Sequence, residues 1–131
     1  MENLVNTNLC ERLADQLNRD DAFRHWARAL TTGISISVKG ENCCISIREG
    51  EVFPEMICET EVFLTGSERE WENALHTPYN QGFYDVTEGA GMLHLTARPL
   101  LIASNAKAFT RFWKQLRSVL CNEEREWDWN V

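Results

Sequence analysis

Near the end of the chain, Phe109, Phe112, Trp113, Leu116, Val119 and Leu120 recur at the i, i+3, i+4, i+7 spacing of one helix face. Lys107, Arg111, Lys114 and Arg117 fall elsewhere on the same surface. The spacing predicts a helix over Ser104–Leu120. So much apolar and aromatic area on one face cannot stay in water, so this helix has to lie on a second layer. That layer is supplied upstream. Ile34, Ile36 and Val38 alternate with Ser35, Ser37 and Lys39, and after a Gly40-Glu41-Asn42 turn Cys43, Ile45 and Ile47 alternate with Cys44, Ser46 and Arg48. Glu49-Gly50 makes the next turn. A third strand is expected from Met56 to Leu64. It has Met56, Cys58, Thr60, Val62 and Leu64 on one face and Ile57, Glu59, Glu61, Phe63 and Thr65 on the other. Strands in this order predict an antiparallel meander with one wet and one buried face.

The flanking segments read as helices. Leu9, Leu13 and Leu17 share a face, Asn18 to Asp21 offers a break with a new N-cap, and Phe23, Trp26, Ala27 and Leu30 form a second stripe that Thr31-Thr32-Gly33 is expected to end. Ser67-Glu68-Arg69-Glu70 is a capping box, in which the serine hydroxyl accepts from the Glu70 amide and the glutamate reaches back. Trp71, Ala74 and Leu75 are then the buried face of a short helix that Pro78 stops. The connection Pro78-Tyr79-Asn80-Gln81-Gly82-Phe83-Tyr84-Asp85 leads to a short strand from Met92 to Ala97. Its alternation places Met92, His94 and Thr96 on one face and Leu93, Leu95 and Ala97 on the other.

At 131 residues the chain is expected to be one domain, 1–131, with a core over about 20–120 and a polar tail over 121–131. Trp127 and Trp129 in that tail leave open a plug folded back on the core or a contact for a partner. A net charge of -7 argues against nucleic acid, because phosphate binding needs clustered Lys and Arg, and equally against an anionic membrane surface. No stretch is long enough for stable membrane insertion. Five cysteines, Cys10, Cys43, Cys44, Cys58 and Cys121, contain no CxxC pair, and Met1-Glu2-Asn3-Leu4 lacks the regions of a signal peptide. Reduced thiols in a cytoplasm are therefore expected. Cys43 and Cys44 are adjacent in a strand and point to opposite faces, a poor start for a zinc site.

The order of elements resembles the sterol carrier protein 2-like (SCP2-like) domain, over roughly Phe23 to Leu120. The resemblance is carried by Ile34-Ser35-Ile36-Ser37-Val38 with Ile45-Ser46-Ile47-Arg48-Glu49-Gly50, which looks like that family's first hairpin. Phe63-Leu64-Thr65-Gly66-Ser67-Glu68-Arg69-Glu70-Trp71 resembles the strand entering its capped helix, and Pro78-Tyr79-Asn80-Gln81-Gly82-Phe83 resembles the link of bacterial members. The resemblance implies an α+β fold: a mainly antiparallel sheet of about five strands, covered on one face by helices, with an apolar cavity between the sheet and the C-terminal helix. After the late strand this chain has Leu95-Thr96-Ala97-Arg98-Pro99 where the family usually turns through Gly-apolar-Gly-Asp.

These residues predict a chain that binds a hydrophobic small molecule, of lipid, sterol, terpenoid or polyketide-like character. The expected lining is Trp26, Ile36, Phe63, Phe83, Met92, Phe109, Phe112 and Trp113, since apolar pockets are lined by such residue types. The alternative is a cofactor-independent isomerase, cyclase or hydratase working on an apolar natural-product skeleton in the same cavity. Its acid-base groups would be His94, on a strand face shared with Met92, together with Tyr84 and Asp85 from the glycine-flanked connection. His76, in the last turn of the capped helix, is expected to face solvent and suit the helix dipole. Glu59 and Glu61, about 7 Å apart on one strand face, are expected to be surface carboxylates. No nucleophile elbow or phosphate-cradling loop occurs, and no cofactor and no metal is expected. The expected partner is the hydrophobic ligand, with a second copy of the chain as an open alternative.

Overall fold

A computed structural model describes residues 7–38, 40–77 and 83–124; of residues 7, 8, 99 and 121–124 only the backbone is described. Lys39, the Pro78–Gly82 part of the connection, the Cys121 thiol and the tail tryptophans Trp127 and Trp129 lie outside the described residues.

The chain begins with α1 (Thr7–Asn18) and α2 (Asp21–Trp26). Leu9, Leu13 and Leu17 bury the expected face of α1, with Cys10 and Ala14 beside them. Asp20 is the N-cap of α2, its carboxylate accepting the Phe23 amide at 3.1 Å. The second stripe is shorter than its spacing suggests. Phe23, Ala27 and Leu30 are buried, but the helix ends at Trp26 and Thr31-Thr32-Gly33 already belong to the first strand. With the helix gone, Trp26 turns outward and is 42% exposed.

Five strands follow in the order β3-β2-β1-β4-β5, namely β1 (Thr31–Val38), β2 (Glu41–Arg48), β3 (Glu51–Phe53), β4 (Thr60–Thr65) and β5 (His94–Ala97). Neighbours pair antiparallel at β1–β2, β2–β3 and β4–β5, while β1 and β4 run parallel. The α+β class and mainly antiparallel sheet stand as the sequence predicts. The simple meander does not: the segment from Met56 is no strand until Thr60, and the strand it enters pairs on the far side of β1. Side-chain chemistry explains why. Ser46, buried on β2, donates to the Glu55 carbonyl at 2.8 Å and accepts from the Ile57 and Cys58 amides at 2.9 and 3.0 Å. Those bonds occupy backbone groups a ladder would need, and they lead the chain across the sheet. At the end of the crossing the Glu59 carbonyl takes the Gly33 amide at 3.0 Å. A Cβ on Gly33 would stand 2.8 Å from the carbonyl oxygens of both Cys58 and Glu59, so only glycine lets the strands approach here.

Ile34, Ile36 and Val38 of β1, Cys43, Ile45 and Ile47 of β2, and Val62 and Leu64 of β4 are buried on the inner face. Ser35, Ser37, Phe63, His94 and Thr96 alternate to the other face. Asn18, at the end of α1, closes the edge of β3. Its amide nitrogen donates to the Val52 carbonyl and its oxygen accepts the Val52 amide, both at 2.9 Å, which replaces a missing neighbouring strand.

On the inner face lie α3 (Glu68–Leu75), α4 (Phe83–Thr87), α5 (Pro99–Ser104) and α6 (Ala106–Glu124). The capping box of α3 is formed in both directions, Glu70 amide to Ser67 hydroxyl and Ser67 amide to Glu70 carboxylate. The expected Ser104–Leu120 helix is divided otherwise than its stripe suggests. Pro99 starts a separate helix at its first turn, Asn105 breaks it, and α6 runs on to Glu124. The stripe itself is buried throughout: Phe109, Phe112, Trp113, Leu116, Val119 and Leu120.

Candidate functional site

Buried aromatic side chains gather beneath α6, on the inner side of the sheet. Phe109, Phe112 and Trp113 descend from α6, Phe83 from α4 and Trp71 from α3, and each is at most 2% exposed. Phe83 stacks on Phe109 with centroids 5.6 Å apart and meets Phe112 edge-on at 6.1 Å. Phe109 and Phe112 are also edge-on, at 6.1 Å. Trp71 and Trp113 lie near-parallel and offset, 6.3 Å apart at 26°. Aromatic pairs in such arrangements gain about 1 kcal/mol each beyond their buried area. Trp71 also bolts α3 to the sheet, its indole N–H donating to the Ser37 carbonyl at 2.7 Å. The indole N–H of Trp113 is buried with no hydrogen-bond partner among the described residues.

The residues expected around a ligand divide accordingly. Ile36, Phe83, Phe109, Phe112 and Trp113 come together in the buried layer, and Met92 packs against it from the turn before β5. Trp71, read from sequence only as a helix's buried face, belongs with them; its spacing to the capping box was the available signal. Phe63 does not. It alternates outward between Val62 and Leu64, opposite Ser35 and Thr96, and is 42% exposed. Trp26 is also outside this layer. It carries the Lys107 ammonium over its ring at 4.2 Å and borders a surface groove of about 300 Å³ along Ala103–Ala108.

The acid-base residues do not gather inside. His94 shares its face with Thr96, not with the core, because Leu95 and Ala97 take the inward positions of β5 and Met92 precedes the strand. Its imidazole is 69% exposed and meets Glu70 at 3.1 Å. The Ser67 amide, with His94 adding to it, holds the Glu70 carboxyl below the usual range. Tyr84 and Asp85 lie on the outward side of α4, Tyr84 being 39% exposed, while Phe83 and Val86 point in. His76 is exposed at the end of α3, its Nδ1 donating to the Glu72 carbonyl at 2.8 Å. Glu61 accepts from the Thr32 hydroxyl at 2.8 Å and from Arg98 at 3.3 Å. The expectation that His94 looks into the helical layer is thus corrected by the strand's actual start.

Two further polar clusters hold the helices. Asp20 caps α2 and also accepts from Arg111 and Gln115 of α6, at 2.9–3.0 and 2.8 Å. Burial pushes its carboxyl up, but the bonds from Gln115, the Phe23 amide and Arg111 prevail and hold it below the usual range. Cys10 of α1 and Cys43 of β2 share a thiol–thiol hydrogen bond, which lowers Cys10 to about 7 and, with burial, pushes Cys43 up. No cluster of three or more His, Cys, Asp or Glu side chains suited to a metal occurs among the described residues. No helix among them is long and apolar enough to cross a membrane.

This sheet order, with its capped helix and closing α6, is an SCP2-like α+β fold, and solved structures agree. The chain superposes on the solution structure of TT1886, a conserved hypothetical protein of Thermus thermophilus suggested to be a sterol carrier protein, with a TM-score of 0.65 at 15% identity, covering 89% of this chain and 90% of that one. The crystal structure of sterol carrier protein 2 gives 0.61 at 14% identity over 84% and 94% of the two chains. The UbiJ-SCP2 ubiquinone synthesis protein gives 0.52 at 13% identity over 85% and 89%. No protein-family model matches the sequence, and no curated protein does.

Proposed function

We propose that this protein binds a hydrophobic small molecule, of lipid, sterol, terpenoid or polyketide-like character, between the inner sheet face and α6. The observation that carries the reading is the aromatic layer, Trp71, Phe83, Phe109, Phe112 and Trp113, placed under the closing helix of a fold shared with sterol carrier protein 2. Affinity comes from apolar area removed from water, at about 25 cal/mol per Å², and orientation from a small number of polar groups. Admitting a ligand requires the layer to part, and α4, a single turn that contributes Phe83, is the smallest element that has to move.

Uptake of a fluorescent sterol and a pyrene-labelled fatty acid tests this. Phe112→Leu is expected to stay folded with altered capacity. Phe112→Asp is expected to abolish uptake; a charge in this layer costs several kcal/mol, so its unfolding is followed alongside. A folded wild-type protein that takes up neither probe contradicts the reading.

A further inference from the structure

Two indoles lie side by side in the buried layer, and they are not equivalent. The Trp71 N–H is satisfied by the Ser37 carbonyl at 2.7 Å. The Trp113 N–H, on a side chain with 0% exposure, has no acceptor among the described residues. Trp71 does not supply one through its π face. At 26° between ring planes the Trp113 N–H runs roughly alongside that face and not into it. The phenyl rings of Phe83, Phe109 and Phe112 in the same layer carry no acceptor atom, and Arg117, one turn further along α6, carries donors only. Leaving a buried donor unmade is costly, and few native structures tolerate it without a reason.

Resting on the proposed binding function, we infer that the Trp113 indole N–H is the polar anchor of the site. The ligand is then an apolar molecule that carries a hydrogen-bond-accepting oxygen, of carbonyl, hydroxyl or quinone type, on the part that enters beneath α6. Trp71 positions the anchor, since its own N–H is committed to the sheet and its ring fixes the plane of its neighbour. A pure hydrocarbon of the same shape satisfies the apolar walls and leaves the donor unpaired, so the site discriminates against it.

The test uses two probes of equal chain length, 2-tridecanone and tridecane, titrated into ¹⁵N-labelled full-length protein. The Trp113 indole resonance is assigned in the wild type, so this readout does not depend on a variant folding. The ketone is expected to bind about tenfold more tightly than the alkane, the scale of one neutral hydrogen bond, and to move the Trp113 N–H resonance downfield. In Trp113→Phe, which removes the donor and keeps an aromatic ring, the ketone oxygen is buried unpaired and the preference is expected to vanish or reverse in favour of the alkane. Equal binding of both by the wild type, or a ketone preference with the Trp113 resonance unmoved, overturns the anchor while the hydrophobic site stands. Binding of neither probe, nor of the fluorescent sterol and fatty acid, overturns the proposed function itself.

Discussion

Replacing Asp20 with alanine removes three interactions, one that caps α2 and two that tie it to α6. The first is the N-cap bond to the Phe23 amide, 3.1 Å long, worth about 1 kcal/mol. The second is the Gln115 amide on the carboxylate at 2.8 Å, worth about 1 kcal/mol net. The third is the Arg111 ion pair at 2.9 Å. Because the Arg111 side chain is 34% exposed, solvent screening leaves that pair only about 1 kcal/mol. Asp20→Ala is therefore expected to cost about 3 kcal/mol near neutral pH and to lower Tm by about 10 °C for a chain of this length. The carboxyl is held below its unfolded value, so its contribution is fully present above the unfolded pKa of about 3.9 and fades as pH falls through the folded one. The cost of the substitution should shrink accordingly as pH falls below about 4. Asp20→Asn keeps an acceptor for the cap and loses the charge, so its smaller cost should fall to nearly nothing over the same range. Urea unfolding followed by tryptophan fluorescence at pH 7 and pH 3 measures all of this. A cost under about 1 kcal/mol at pH 7, or one indifferent to pH, refutes the assignment of this junction to the Asp20 carboxylate.

Two other substitutions probe the frame and the site. Gly33→Ala puts a methyl 2.8 Å from two backbone carbonyls and should cost about 2–3 kcal/mol in urea unfolding by forcing β1 from the crossing segment; an unchanged midpoint contradicts that close approach. His94→Ala removes an exposed contact on the outer face and is expected to leave melting temperature and probe uptake nearly unchanged, whereas a large loss of uptake would place His94 in the site after all.

What the sequence showed plainly was periodicity and capping. The α1 and α6 stripes, the first hairpin and the Ser67–Glu70 box are local patterns, and each is realised. What it concealed was partnership. Alternation from Met56 to Leu64 cannot tell which strand lies alongside, and the diversion of that segment depends on one hydroxyl, Ser46, whose partners are 9 to 12 residues away. The parallel β1–β4 pairing follows from that crossing and from the space left by Gly33. In the site, Phe109, Phe112 and Trp113 were legible because a long stripe fixes its own phase. His94 was not, because β5 has four residues and begins at His94, so extending its alternation back to Met92 assigned the wrong face to the core. Trp26 went astray for a similar reason, as its helix ends at that residue.

The central claim, that the layer beneath α6 receives an apolar molecule, is tested most directly by native mass spectrometry of freshly purified, folded wild-type protein. The account predicts a fraction carrying one bound molecule of lipid-like mass, released on denaturation and reduced in a folded Phe112 variant. A single peak at the mass of the bare chain, unchanged after incubation with sterols, fatty acids and quinones, would contradict it.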